Sequence, residues 1–380
     1  MNAAAGNGFN NPAVNAGGAL DIIVIRQGDG SLRSTAWHVV WDNLGSWGAG
    51  SVRVHINNQL LTYEPALRVT DAHEEAKFAE AESVEGSTTA SGESLKKAST
   101  TPPPTVLDAL SKSDLLRAGR NEICYTLGSD PHGYKVRGFL YFWQHTTPAI
   151  IFDIDGTITL NDIAGQAAMI VDSSPTHPGV CEFICALHAR GYAIMYLTSR
   201  PLLGHAGIER TRRFLSEVAL DATTGFQMPP APVITTTHTA TLEALAAELT
   251  GQSKTFKSQV LKTLREVFGP AQDGGGLYSG FGNREKDALA YLSAGLPPER
   301  VFLIDPSSTI VGRSALLANA NGSALPASGA MPEKPIWQGY TALLQESLAD
   351  LFPQQHTSAE VQRATSSLAP GTQLPPESMV

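Results

Sequence analysis

Polar and apolar positions divide the chain into stretches with different periods. Between residues 18 and 70, short β-like runs alternate with turn signals: ALDIIVIRQ, GDGS, TAWHVVW, NLGSWGAG and SVRVHINNQLL. This spacing predicts a small antiparallel β unit. From about 83 to 105 the text SVEGSTTASGESLKKASTTPPPT holds too few large apolar residues to bury a core, which predicts a flexible linker. Residues 106–118 read either as a short helix or as more linker. Strand patterns resume with NEICYTL and YKVRGFLYFW.

From 149 to about 306 the pattern changes. AIIF, YAIMYLT, PVITT, GLYSGF and RVFLID read as strands, separated by helical stretches at GVCEFICALHAR, IERTRRFLSEV, 239–267 and REKDALAYLSAG. Such alternation predicts an α/β fold, a parallel sheet with helices on both faces. AIIF is continuously apolar, as a central strand covered on both sides should be. A region rich in Ala and Gly follows, then a helix at YTALLQESLADLF. The expected layout is a disordered 1–17, β strands in 18–82, a linker over 83–118, further strands in 119–148, an α/β domain over 149–353 and a disordered tail at 354–380.

Composition narrows the class. With 380 residues, 42% hydrophobic and 17% charged, the chain suits two globular domains, and its net charge of -9 argues against general nucleic-acid binding. No run approaches the roughly 20 apolar residues of a membrane span, and MNAAAGNGFNNPAVN has neither the basic start nor the apolar core of a secretory signal. A soluble, intracellular protein is expected. Cys124, Cys181 and Cys185 support no disulfide framework, and Cys181 and Cys185, four apart on a helix, read as packed thiols rather than metal ligands.

The chemistry gathers at strand ends. AIIF delivers Asp153 and Asp155 to a turn at Gly156 and Thr157, and open α/β sheets bind ligands at the carboxyl ends of their strands. One carboxylate can attack phosphorus while the other handles the leaving-group proton, with Mg²⁺ offsetting the repulsion between carboxylate and phosphate. YAIMYLT ends in Thr198, Ser199 and Arg200, whose hydroxyl and backbone N–H groups suit phosphoryl oxygens. GLYSGF leads into Asn283 and Asp287, oxygen donors suited to the metal or its waters. Lys257, with Lys254 and Lys262 nearby, is the best candidate for a cation facing the phosphoryl group.

These four clusters, in this order, resemble the haloacid dehalogenase superfamily of phosphohydrolases. Within it, YFWQHTTPAIIFDIDGTITLNDIAG, THPGV, GYAIMYLTSR, FKSQVLKTL, YSGFGNREKDALAY and YTALLQESLADLFP resemble the carboxyl-terminal domain of the lipin family of Mg²⁺-dependent phosphatidate phosphatases. ALDIIVIRQGDGSLRSTAWHVVWDNLG is similar to the amino-terminal lipin domain. The resemblance implies Asp153 as nucleophile and Asp155 as general acid/base. It assigns Thr198 and Lys257 to phosphoryl binding, and places Asp153, the Asp155 carbonyl and Asn283 on Mg²⁺, with Asp287 beside them. Gly156, Thr157, Ser199 and Arg200 are expected to line the substrate. It further implies a haloacid dehalogenase-like Rossmannoid sheet and an immunoglobulin-like sandwich shared by the amino-terminal strands and the segment before the catalytic strand.

The implied substrate is phosphatidate in a membrane surface, reached from the cytoplasm at the endoplasmic reticulum or nuclear envelope. Family members begin with a membrane-inserting amphipathic helix, whereas residues 1–17 have almost no apolar moment, which leaves the mode of recruitment open. The segment after Arg200 is about three residues longer than usual, and Arg210, Arg212 and Arg213 are candidates for a helix cap or a headgroup contact. A non-catalytic phosphatidate-binding module and a phosphatase of soluble phosphoesters or phosphoproteins are the alternatives. Retention of both acids argues against the first.

Overall fold

The computed structural model describes residues 17–41, 50–69, 75–78, 99–128, 134–160, 175–200, 202, 207–219, 224–235, 252–269, 275–312 and 336–355. Expectations for 1–16, for most of the linker, for helical residues 239–251 and for the tail from 356 lie outside them.

In the amino-terminal half, β1 (Gly17–Ala19), β2 (Ile22–Arg26), β3 (Leu32–Ser34), β4 (Val39–Trp41), β5 (Gly50–Ile56), β6 (Gln59–Leu60), β7 (Leu67–Val69) and β8 (Ala76–Phe78) precede helix α1 (Pro104–Lys112). β9 (Gly119–Leu127) and β10 (Lys135–Gln144) follow. The main sheet runs β3-β2-β10-β9-β5-β7-β8, with β6 folded back on β5 and β1 paired with β4. In β5, Val52, Val54 and Ile56 are buried while Arg53 and His55 stay partly exposed, the alternation of a strand with one face on a core. Asn57 and Asn58, both at positive φ, close the β5–β6 hairpin in the left-handed conformation that asparagine tolerates.

Two expectations change here. Residues 18–70 do not form an antiparallel unit of their own, because β2 pairs in parallel with β10, Ile22 opposite Leu140 through Arg26 opposite Gln144. The linker also ends before residue 118: Ser99 pairs with Phe78, and α1 buries Val106 and Leu110 completely in the β core.

The second half contains β11 (Pro148–Asp153), α2 (Val180–Ala189), β12 (Ala193–Leu197), α3 (Ile208–Arg213), β13 (Val233–Ile234) and α4 (Gln252–Phe268). It continues with β14 (Gly276–Gly282), α5 (Glu285–Ser293), β15 (Val301–Ile304), β16 (Thr309–Gly312), β17 (Ile336–Gln338) and α6 (Gly339–Leu351). The sheet order is β13-β12-β11-β14-β15-β16-β17. Its first five strands are parallel, but β16 and β17 add an antiparallel edge that the sequence did not predict. α3 runs on as a π-helical turn through Val218.

Helices cover both faces. Ile150 and Phe152 of β11 join a core with α2 and α6, whereas Ala149 and Ile151 join one with α4 and α5. The second of these cores also takes in Ile23 and Ile25 of β2. The two halves are therefore packed through a shared apolar layer.

Polar ties reinforce that contact. Asp21 is buried and accepts hydrogen bonds from the backbone N–H groups of Phe139 (3.1 Å) and Val233 (2.8 Å) while pairing with Arg212 at 2.5 Å. Arg212 also pairs with Glu209 and donates to the Ala19 carbonyl at 2.9 Å. Gln27 and Arg33 donate to the carbonyls of Val267 and Glu266 at 3.1 and 2.9 Å, satisfying acceptors that the end of α4 leaves open. Arg212, a candidate for headgroup contact, is thus committed to an internal ion pair, and Arg213 pairs on the surface with Glu217.

Candidate active site

At the end of β11 the chain turns sharply. The Ile154 N–H donates to Leu197 of β12, and the Ile154 carbonyl accepts from the N–H groups of Ile158 and Thr159, so the turn is tied to the neighbouring strand and to itself. Gly156 takes φ +79°, and a Cβ there would collide with Asn283 Nδ2. Glycine therefore permits both the turn and the close approach of Asn283 from the end of β14.

The two carboxylates are held by different cations. Asp153, buried, accepts from Lys257 Nζ at 2.7 Å, and the same ammonium reaches Asp287 at 2.7 Å. Asp155 is held by Arg200, with Nη2 to Oδ1 at 2.7 Å and Nε to Oδ2 at 3.3 Å, and accepts from the Thr198 hydroxyl at 3.1 Å. Arg200 in turn packs toward Phe214. A pair of acids two residues apart is thereby given two separate electrostatic surroundings.

Burial pushes the Asp153 carboxyl above its ordinary range; the Lys257 charge opposes this, and the charges of Asp287 and Asp155 add to it. For Lys257, burial alone would favour the neutral amine. The two carboxylates outweigh it and hold the ammonium protonated.

Of the three lysines considered, Lys257 is the one buried at the centre; Lys262 is exposed and the Lys254 side chain lies outside the description. Asp287, expected at the metal, has one oxygen on Lys257 and the other on the Arg284 N–H at 3.0 Å, so here it anchors the lysine. Arg200, expected on the substrate, is engaged by Asp155. Ser199 sits half-buried beside Thr198. Cys181 and Cys185 donate to the carbonyls of Ala219 and Gln227, which matches packed thiols.

A supporting layer beneath the turn was not singled out from the sequence. His177 lies within hydrogen-bond distance of the Gly156 carbonyl through Nε2 (3.3 Å) and of Ser308 Oγ through Nδ1 (2.8 Å). The Tyr340 hydroxyl donates to the Thr157 carbonyl at 3.1 Å, and the Gly156 N–H donates to Thr159 Oγ1 at 3.1 Å. The buried Thr157 Oγ1 has no hydrogen-bond partner among the described residues. THPGV, just before α2, was the one available signal for His177.

Residues 105–321 match the family model LNS2 (Lipin/Ned1/Smp2), more than half of the chain. The chain belongs to the lipin family. A second model, the lipin N-terminal conserved region, matches residues 6–95.

Among curated relatives of this lipin, nuclear elongation and deformation protein 1 of Schizosaccharomyces pombe is 34% identical over 198 residues, 51% of this chain and 28% of that protein. Phosphatidate phosphatase PAH1 of Arabidopsis thaliana is 30% identical over 197 residues, 51% and 21% of the two chains. Phosphatidate phosphatase LPIN2 of Homo sapiens is 27% identical over 231 residues, 60% and 23%. The aligned regions thus span 21 to 28% of these relatives' lengths.

The donors around the lipin turn are carboxylate, amide, hydroxyl and backbone carbonyl oxygens, the set preferred by a hard divalent cation. Among the described residues no group of three His, Cys, Asp or Glu side chains is placed to hold a metal. A cation here would draw on the Asp155 carbonyl and Asn283 as well as Asp153.

Proposed function

We propose that the protein is a Mg²⁺-dependent phosphatidate phosphatase that releases diacylglycerol and phosphate. The observation that carries this reading is the division of the acid pair: Asp153 on Lys257 and Asp155 on Arg200 and Thr198, at the carboxyl end of a central parallel strand. Two acids with different surroundings suit two roles.

Asp153 attacks phosphorus as the ester P–O bond breaks, giving an aspartyl-phosphate, and Asp155 protonates the departing glyceryl oxygen. Asp155 then takes a proton from water, which attacks phosphorus and frees Asp153. Thr198 and Lys257 orient the phosphoryl oxygens, with the buried Gly156–Thr157 turn beneath them and the half-buried Ser199 beside Thr198. Arg200 acts through Asp155, and Asp287 through Lys257. Mg²⁺, held by Asp153, the Asp155 carbonyl and Asn283, would neutralise phosphate charge.

The relatives named for phosphatidate phosphatase activity support the choice of substrate. In the same reading the β half is an immunoglobulin-like sandwich, and the protein works as a peripheral enzyme on the cytoplasmic side of the endoplasmic reticulum or nuclear envelope.

Phosphate release from phosphatidate in mixed micelles, compared with soluble phosphoesters and with Mg²⁺ present or chelated, tests the function. Preference for phosphatidate in Mg²⁺ is expected. Binding without turnover, or equal rates on soluble esters, overturns it.

A further inference from the structure

One face of the β half carries a charge pattern that the Asp153 site does not use. The registers of β5, β6, β9 and β10 set Arg53, Thr126 and Lys135 in one row, and Leu60, His55, Cys124 and Arg137 in the next. Residues directly opposite across paired strands share a face, and the alternate residues Val52, Val54 and Ile56 fill the core, so both rows lie on the outer side. A groove of about 340 Å³ crosses them, lined by Arg53, His55, Lys135 and Arg137, with Glu122 and Phe139 at one end. That volume falls within the range of small-ligand sites.

The chain as a whole is acidic at -9, yet among the described residues this groove is lined by Arg53, Lys135 and Arg137 with Glu122 as the carboxylate. Arg53 is steadied by its hydrogen bond to the Gly128 carbonyl at 3.0 Å. Lys135 and Arg137 form no ion pair among the described residues. Burial, then the charges of Arg53 and Lys135, hold His55 below its ordinary pKa. Clustered like charges repel, and an anion in the groove would relieve the repulsion.

Leu60 decides which anion. It is 53% exposed and lies directly across from His55, at the edge of the basic rows. Cations beside an apolar side chain suit a membrane, because an interfacial surface meets headgroup phosphates with cations and the acyl boundary with apolar side chains.

We propose that this face is a second lipid contact, a headgroup site for anionic phospholipid apart from the Asp153 centre, with Leu60 entering the membrane interface. Such a contact presupposes the lipid substrate proposed above, so binding and turnover are read separately.

The test is sedimentation of the full chain with vesicles of phosphatidylcholine alone or mixed with phosphatidylserine, which carries no phosphomonoester for hydrolysis. A basic residue near an anionic membrane contributes roughly fivefold in affinity. Arg53→Glu/Lys135→Glu/Arg137→Glu should therefore bind the mixed vesicles at least about tenfold more weakly and lose the dependence on salt; Lys135→Gln/Arg137→Gln should move in the same direction if the reversal unfolds the protein. Leu60→Ser should weaken binding severalfold with the salt dependence intact. Release of phosphate from short-chain, monomeric phosphatidate should stay at the wild-type rate in all three variants.

Equal wild-type binding to both kinds of vesicle, or unchanged binding by the charge variants, overturns the site. So does inositol hexakisphosphate binding to the groove while Leu60→Ser leaves vesicle binding untouched, which would make it a site for soluble anions. Absence of turnover by wild type would overturn the phosphatase reading and leave the vesicle result standing.

Discussion

β2 and β11 look alike in the sequence and do different work. IIVI and AIIF are both unbroken apolar runs, and both strands are buried on both faces. β11 is covered by helices on either side, as a central strand of a parallel sheet must be. β2 is covered on one side by the β core, through Ile22 and Val24, and on the other by the second half, through Ile23 and Ile25. An apolar run that fails to alternate inside a β-rich segment therefore marks a docking face. β11 ends in the Asp153–Asp155 acid pair; β2 is flanked by Asp21 and Gln27, which fasten the halves together.

The largest expected effect lies at the end of β11. Asp153→Ala or Asp155→Ala should lower Mg²⁺-dependent phosphate release by about 10³-fold or more while far-UV circular dichroism stays native. Retained activity in either variant would sink the assigned roles. At the start of β2, Asp21→Ala leaves Arg212 buried without its main partner, and denaturant unfolding should show a loss of about 3 kcal/mol.

Ile23→Ala tests the docking face directly. If that face is core, the loss is roughly 2–4 kcal/mol and matches Ile22→Ala on the opposite face. A solvated face would give a change within about 0.5 kcal/mol.

The smallest effect concerns the closure of the β half. Hydrogen bonding from His38 holds the Glu75 carboxyl down at about 2, against burial, which raises it, with Lys77 adding to the lowering. Because the folded value lies below the unfolded one, the stabilisation is present above about pH 4.5 and is lost as pH falls toward 2. Glu75→Gln should flatten the fall in melting temperature across that window, and an unchanged slope would count against the pairing.

Legibility followed range along the chain. The alternation of AIIF, YAIMYLT, GLYSGF and RVFLID with amphipathic helices made the parallel sheet readable, and Asp153, Asp155, Thr198, Lys257 and Asn283 were readable as residues at strand ends or on a nearby helix. β16 and β17 were not, since strands of four and three residues are too short to show a period. The parallel pairing of β2 with β10 and the ion pair of Asp21 with Arg212, 191 residues apart, depend on which elements meet, and no local window holds both members. Arg200 and Asp287 stood out as residues near the strand ends, but their partners, Asp155 and Lys257, followed from distances. His177 and Tyr340 were hidden because a residue supporting a turn from below carries no spacing rule relative to it.

The bridge between Phe78 and Ser99 has a consequence for how much chain the fold can carry between them. Backbone hydrogen bonds in both directions hold these two residues side by side at the edge of the β half. Once the ends of a segment are fixed that close, closure entropy grows only with the logarithm of what lies between, about 0.6 kcal/mol for each doubling. Five doublings would cost roughly 3 kcal/mol, comparable to the loss expected on removing one partner of a buried ion pair. The fold is thus built to accept inserted chain at this point with its two halves still joined.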